Sequence, residues 1–401
     1  MSRTSTRTSI STGARTSTGA RTSPGAGAGA GTSRRTVLRG AAGAALAAPL
    51  AWPLLAGGVA RAADGPIRGV DVSSLPKAED LGAVFRRADG STADALTILA
   101  ENGANWVRLK VWVDSPDGYH DAARIAGLAR RASELGMEAL VDFHYSDSWA
   151  DPGQQRKPAA WAGLDAAGLE RAVAEHTTAV LGALVEQGTP AAMVQIGNEI
   201  NAGMLWPDGS TDDFDRLAAL LTAGAEAAAQ ASPGTRRALH LAEGGDNALF
   251  RWWFDNATAR AVPFEVIALS FYGYWHGTLP ELQANLHDLV ARYDRDVVVV
   301  ETAYPFTLGS DDDHEDIIGE ESQLVSGYPA TPEGQQRWVR DIASVVAGVP
   351  GGRGLGVFYW EPAWTAVPGN GWDPADPGSG NAWENQAVFD YQGTVLPAAG
   401  W

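Results

Sequence analysis

The sequence predicts an α/β protein built as a closed (β/α)8 barrel, and three observations predict it. Eight short apolar runs recur between residues 69 and 360. Stretches of helical period separate them. Polar side chains gather where the runs end, and the C-terminal strand ends of such a barrel converge on one mouth.

The candidate strands, in order, are Gly69–Val72, Trp106–Val111, Ala139–His144, Met193–Ile196, Ala238–Ala242, Val266–Phe271, Val297–Val300 and Gly356–Trp360. Near-continuous apolar strands imply a parallel sheet covered on both faces. Ala122–Leu135, Leu169–Gln187 and Asp213–Gln230 carry the helical period between strands. Eight repeats favour a closed barrel over an open doubly wound sheet. No glycine-rich phosphate loop follows the first strand, which argues against a nucleotide-binding fold.

Residues 1–62 differ from the rest. Residues 1–32 are a Ser/Thr/Arg/Gly/Ala tract that cannot build a core. Ser33-Arg34-Arg35-Thr36-Val37-Leu38-Arg39 follows, then an apolar run from Ala41 to Val59, closed by Ala60-Arg61-Ala62. That is the order of an export signal, and Arg34-Arg35 resembles a twin-arginine address. Cleavage is expected after Ala62. Pro49 and Pro53 disfavour reading the run as a membrane anchor. Residues 63–401 are then expected to form one secreted, monomeric domain.

The leader holds eight arginines and no acid, leaving 22 of the 30 Lys+Arg against all 48 Asp+Glu in 63–401, a formal charge of −26. A domain so acidic repels nucleic acid and anionic membranes, so neither is expected as a partner. The absence of cysteine excludes disulfides, thiol nucleophiles and zinc sites that need Cys. Fifteen tryptophans against ten phenylalanines fit a surface that stacks on sugar rings, since flat aromatic faces pack on the apolar faces of pyranoses.

Two acidic residues stand out. Met193-Val194-Gln195-Ile196-Gly197-Asn198-Glu199 and Val297-Val298-Val299-Val300-Glu301 each put a carboxylate directly after an apolar strand. Such a group is costly there unless it faces a polar site. Strands four and seven can face each other across a barrel mouth, and glycoside hydrolysis needs two carboxyl groups flanking one bond. Glu199 is read as general acid/base and Glu301 as nucleophile. Asn198 is suited to bond a sugar 2-hydroxyl. Arg108 is suited to hold Glu301 ionised. Other polar strand-end groups are Asp71, Asp142, His144, Asp147, Tyr272, His276 and Glu361. Tyr272 is expected to orient the nucleophile, and His144 and His276 to meet sugar hydroxyls. Asp71 is expected in the substrate lining, and Asp142 and Asp147 to position that lining. His240 reads as a satisfied core residue. Trp112, Trp149, Trp206, Trp275, Trp360 and Trp364 sit at or past strand ends as stacking platforms or rim packing, with stacking favoured for Trp360.

At these residues the chain resembles the endo-β-1,4-galactanases of glycosyl hydrolase family 53. The resemblance runs over 66–393 and is carried by Gly69–Leu75, Trp106–Trp112, Asp142–Pro152, Gly197–Pro207, Ser270–Leu279, Glu301–Tyr304, Tyr359–Trp364 and Asn385–Asp390. Gly-Asn-Glu recurs in related barrels. Asp142-Phe143-His144-Tyr145-Ser146-Asp147 and Tyr274-Trp275-His276-Gly277-Thr278-Leu279 are far more specific. The resemblance implies a retaining endo-hydrolase of β-1,4-linked galactan or arabinogalactan, such as pectin side chains, with Glu199 as acid/base and Glu301 as nucleophile. Gly273 departs from the proline often found there, which is expected to loosen the loop.

The loop Ser310-Asp311-Asp312-Asp313-His314-Glu315-Asp316 is dense in acid. It is either solvated or neutralised by a cation, and Ca2+ prefers such oxygen ligands. The resemblance implies calcium held by Asp312, His314 and Asp316, joined by Asn381 and Glu384 from a second segment. Three other functions stay open from the residues alone. They are a retaining mannanase or glucanase on the same barrel, a non-catalytic sugar-binding protein, and a metal-dependent barrel hydrolase, for which His144 and His276 lack the usual paired spacing.

Overall fold

The computed structural model describes residues 65–401. The leader and its cleavage site lie outside the described residues. Eight parallel strands close into a barrel: β1 (Ile67–Asp71), β2 (Trp106–Val111), β3 (Glu138–Phe143), β4 (Met193–Ile196), β5 (Arg236–Leu241), β6 (Val266–Ser270), β7 (Asp296–Glu301) and β8 (Gly354–Tyr359). Each pairs with its sequence neighbour, and β1 pairs with β8 to close the ring. Several strands start one or two residues before the expected position, because their first residues (Arg236, Asp296) are polar and fall outside the apolar runs.

Among the described residues there are eight α-helices, two after β1 and one after each of β2 to β7: α1 (Leu75–Asp80), α2 (Ala95–Glu101), α3 (Ala122–Glu134), α4 (Ala166–Glu186), α5 (Phe214–Ala231), α6 (Asn247–Ala259), α7 (Leu279–Tyr293) and α8 (Pro332–Ala347). The chain marks most of these starts. Asp94, Asp121, Asp165, Asp213 and Asp246 each accept a hydrogen bond from a backbone N–H in the first turn of the following helix. Thr278 and Thr331 do the same for α7 and α8, and Thr278 forms a reciprocal capping box with Glu281. Asp213 thus caps α5 instead of lying within it. Among the described residues, no helix is long and apolar enough to cross a membrane.

Strand alternation creates two cores. Residues such as Val107, Leu109, Val141, Val194, Leu239 and Ile267 point outward and pack with the helices in a large apolar layer. Ile67, Trp106, Leu140, Met193, Ala238, Val266, Ala268, Val298, Val300 and Phe358 fill the barrel interior. Further along the strands, two residues on for Arg108, Asp142, Gln195, His240 and Ser270 and four for Asp71, buried polar groups replace this plug. The interior therefore changes from apolar to polar toward the C-terminal end, which places the chemistry at one mouth.

Where the barrel closes, Gly356 has φ +141°, and a Cβ there would lie 2.1 Å from the Ile67 carbonyl oxygen and 2.6 Å from its nitrogen. Neither backbone atom can move without opening the β1–β8 ladder. Gly356→Ala is expected to cost about 3 kcal/mol of stability, combining backbone strain and overpacking. Urea unfolding monitored by circular dichroism reads this as a lower midpoint with an unchanged slope.

Candidate active site

The loops after the strands surround a cavity of about 560 Å³. Glu199 and Glu301 both line it. An oxygen of one lies within 4.8 Å of an oxygen of the other. Backbone geometry delivers both groups. Glu199 stands just beyond β4 in a left-handed conformation, φ 47°, two residues after Gly197 at φ 85°, a strained state that clusters at functional sites. Glu301 is aimed by a bulge. Leu269 pairs with Val299, yet the next residue, Ser270, pairs with Glu301, so two residues of β7 oppose one of β6.

Beneath the pair lies the buried guanidinium of Arg108. It meets Asp71 at 2.8 Å, Asp142 at 2.9 Å and Glu301 at 2.8 Å. It also donates to Asn198 Oδ1 at 2.8 Å and to Gln195 Oε1 at 3.3 Å. Its pKa is raised: burial opposes the charge, but Asp142, Glu301 and Asp71 outweigh it. The Tyr272 hydroxyl donates to Glu301 Oε2 at 3.1 Å, so one oxygen of Glu301 faces a cation and the other a hydroxyl donor. Burial pushes Glu301 up to about 7, and Arg108 pulls against it. Glu199 is pushed well above the ordinary carboxylate range, first by burial and then by the charge of Glu301. The pair shares protons, and the first to leave comes from Glu301, which alone has a cation in contact.

The remaining expected site residues separate into two sets. Asn198, His144, Tyr272, His276, Trp149 and Trp360 line the cavity. Arg108 and Asp71 do not; Arg108 is spent on its five acceptors, and Asp71 on Arg108 and Ser73. They hold the lining instead of forming it. His144 presents its ring, but Nε2 meets Asp142 at 3.0 Å and Nδ1 accepts from Ala150 N at 3.0 Å, so neither nitrogen is left for a hydroxyl. Burial lowers its pKa, with Asp142 opposing, which keeps the ring neutral. His276 is likewise lowered by burial, to about 4, and its Nδ1 faces Ser270 O and Tyr272 N. The Asn198 amide donates to Ala150 O at 2.7 Å, which leaves one of its two N–H bonds for a ligand. Asp147 caps local turns through Asp114 N and Ala159 N, away from the cavity.

Among the tryptophans, Trp149, Trp275, Trp360 and Trp364 line the cavity. Trp112 is buried behind Trp149, their ring centres 5.6 Å apart. Trp206 donates to Ala202 O and lies outside the cavity. Sequence reasoning missed Trp372 and Trp383, which reach the cavity from the long segment after β8. It also missed Lys110, whose ammonium sits 3.4 Å from the centre of the Trp149 ring and 3.5 Å from Glu361. His240 is buried as expected, yet it belongs to the site, because Nδ1 lies 2.8 Å from Gln195 Nε2 and Nε2 lies 2.9 Å from Ser270 Oγ. Its alternating position on β5, facing the same interior as Arg108, was the available signal. At Gly273 a Cβ would lie 2.2 Å from Trp338, so the missing side chain is the space that Trp338 fills.

Glu199, His240 and Glu301 form the one cluster of three His or carboxylate ligand atoms within 4.8 Å among the described residues. Both His240 nitrogens already have hydrogen-bond partners, and the Glu301 oxygens meet the Arg108 cation and the Tyr272 hydroxyl, which suits proton handling more than metal binding. The expected calcium ligands are only partly gathered. Asp312 accepts from His314 N at 2.6 Å and Asn381 N at 2.9 Å, which ties the loop after β7 to the segment after β8. Asn381 spends its side chain on Trp364 O and Trp383 N. Both oxygens of Asp316 and Oε2 of Glu384 are buried without a partner. Asp316 is pushed up to about 8 by burial, then by Glu384 and Asp312. Unpaired buried carboxylate oxygens fit a hard cation such as Ca2+.

Comparison with known proteins agrees with this arrangement. Residues 67–400 match the model of glycosyl hydrolase family 53. The chain is 34% identical over 366 residues to an endo-β-1,4-galactanase of Bacillus subtilis, covering 83% of this chain and 84% of that protein. It is 36% identical over 316 residues to a probable arabinogalactan endo-β-1,4-galactanase A of Aspergillus terreus, covering 76% and 87%. Among solved structures, the GH53 catalytic domain of Ignisphaera aggregans superposes with TM-score 0.80 at 40% identity, covering 83% of this chain and 94% of that one. A fungal β-1,4-galactanase superposes with TM-score 0.72 at 31% identity, covering 83% and 98%. A glycosidase whose two carboxyl groups stand at the C-terminal mouth of a (β/α)8 barrel, this chain belongs to glycosyl hydrolase family 53.

Proposed function

We propose that this enzyme is an endo-β-1,4-galactanase that cleaves galactan or arabinogalactan, including pectin side chains, with retention of anomeric configuration. The observation that carries the mechanism is the approach of Glu199 and Glu301 oxygens to within 4.8 Å. Retaining enzymes hold their carboxyl groups about 5–5.5 Å apart, whereas inverting ones leave about 6.5–9.5 Å for a water. Family membership and the activities of the named relatives support the substrate. The leader supports export by the twin-arginine route, with the domain acting as a monomer outside the cell.

In this mechanism Glu301 attacks the anomeric carbon while Glu199 protonates the departing glycosidic oxygen. The glycosyl–Glu301 ester is then opened by water, which Glu199 deprotonates. Arg108 and Tyr272 keep Glu301 ionised and aimed. Forming the ester removes the negative charge beside Glu199, so its pKa falls and it becomes a base when one is needed. The indole faces of Trp149 and Trp360 stack on sugar rings.

Digestion of linear β-1,4-galactan followed by anomeric NMR should give β-configured product first. Initial α product would exclude double displacement, and turnover of mannan or glucan in place of galactan would favour the other barrel glycosidases. Glu301→Ala and Glu199→Ala should each lose about 10⁴-fold or more in kcat on galactan without unfolding. Azide should rescue Glu301→Ala as an α-glycosyl azide and Glu199→Ala as a β-glycosyl azide.

Calcium is proposed to bind through Asp316 and Glu384, with Asp312 and His314 on the same loop and Asn381 bracing the second segment. When bound, it neutralises the loop's acidic groups and ties the segments after β7 and β8. Both border the cavity through Ile317 and Trp383. EGTA should lower Tm by several degrees, and added Ca2+ should restore it. Asp316→Asn should abolish that response. A Tm indifferent to EGTA and to added Ca2+ would refute a bound ion.

A further inference from the structure

We propose that Ser270 and His240 are positioning residues that fix which oxygen of Glu199 carries its acidic proton. The inference rests on Glu199 being the acid/base. Ser270 Oγ lies 2.6 Å from Glu199 Oε1 and donates to it. His240 Nε2 lies 2.9 Å from the same hydroxyl oxygen. The direction of this chain is set on the far side of the imidazole. Gln195 Nε2 at 2.8 Å and the backbone N–H of Glu199 itself at 3.3 Å both aim at His240 Nδ1. Asn198 Oδ1 also lies 3.0 Å from Nδ1, but it already accepts from Arg108, and an Nδ1–H aimed at it would leave the Glu199 N–H without its acceptor. Nδ1 is therefore the acceptor and Nε2 carries the hydrogen.

Gln195 cannot reverse this. Its Oε1 accepts from Arg108 Nε, and its Nε2 also donates to Asp142 Oδ1 at 2.6 Å, so the amide has one orientation. Burial holds His240 far below the usual histidine range, so the ring stays neutral and keeps a single N–H. With Nε2–H donated to Ser270 Oγ, the serine hydrogen turns toward Glu199 Oε1. An oxygen that accepts this bond is the poorer place for a proton. The acidic hydrogen sits on Oε2, which has no protein partner among the described residues and belongs to a cavity-lining side chain. As Glu301 bonds to the anomeric carbon, the C–O bond to the leaving sugar breaks. The Oε2 proton passes to that oxygen, and the later water returns one proton to the same site.

The arrangement makes a distinction that loss of packing does not. An aryl glycoside with a dinitrophenolate leaving group needs no proton in its first step, whereas galactan does. Ser270→Ala should lose at least about tenfold in kcat/KM on galactan, a part of the 10²–10⁴-fold that general acid catalysis supplies. Its kcat/KM on dinitrophenyl β-galactobioside should fall far less. The alkaline limb of the galactan profile should move to higher pH, because removing an O–H donor destabilises ionised Glu199. The charges facing Glu199 from β7, the loop after β3 and β2, namely Glu301, Asp151 and Arg108, stay in place, as does the Tyr272 phenol. Ser270→Cys, of similar shape with a weak donor, should give the same split with packing preserved. Equal losses on both substrates, or an unmoved alkaline limb, would overturn the assignment. Glu199→Ala serves as the control: if it too shows no split between substrates, the acid/base reading itself fails.

Discussion

One buried guanidinium must be satisfied, and most of the site follows from that need. Arg108 is 1% exposed and offers five N–H donors. Leaving such a charge unpaired inside a barrel is prohibitive, so its surroundings supply three carboxylates and two amide oxygens. These acceptors come from β1, β3, β4, β7 and the turn after β4. A single side chain therefore sets the relative position of four segments that are far apart in sequence, β1, β3, β4 with its turn, and β7. Its planar fork fixes directions as well as distances, which a flexible ammonium would not do.

The polar layer around Arg108 ranks the two carboxyls at the mouth, Glu199 and Glu301. Glu301 receives Arg108 and Tyr272, while Glu199 receives only the Ser270 hydroxyl. Burial raises both, and the difference in donors leaves Glu301 the ionised member. Strand ends pay a conformational cost to build this layer. Tyr145, Glu199, Glu243 and Glu361, just beyond β3, β4, β5 and β8, all take positive φ without being glycine. Each turns a side chain at a strand end, and three of the four are acidic.

Much of this was legible in the residues, for reasons that also define what was not. A strand of a parallel barrel is apolar on both faces, so β2 and β4 were read to the residue and the others to within two at either end. Glu199 and Glu301 stood out because a carboxylate after such a strand has no cheap structural use. Gln195, His240 and Ser270 did not stand out. A neutral polar residue inside an apolar run looks like a core residue, and only closing the barrel puts all three in contact around Glu199. The aromatic lining was read in part for a different reason. Trp149 and Trp360 follow their strands closely, whereas Trp372 and Trp383 arrive through a long segment whose path depends on tertiary packing. The acidic loop pointed to a cation, but sequence spacing could not reveal that Asn381 is spent on backbone groups while Asp316 is left bare.

The pH profile of kcat/KM for Arg108→Lys on galactan tests the central claim most directly. A lysine keeps the charge but cannot reach Asp71, Asp142, Asn198, Gln195 and Glu301 at once. Glu301 then loses part of the attraction that favours its ionised form. The account predicts a fall of about 10²-fold or more in the plateau and an acid limb moved to higher pH, in a protein that stays folded. A folded variant with the wild-type plateau and an unmoved acid limb would contradict it.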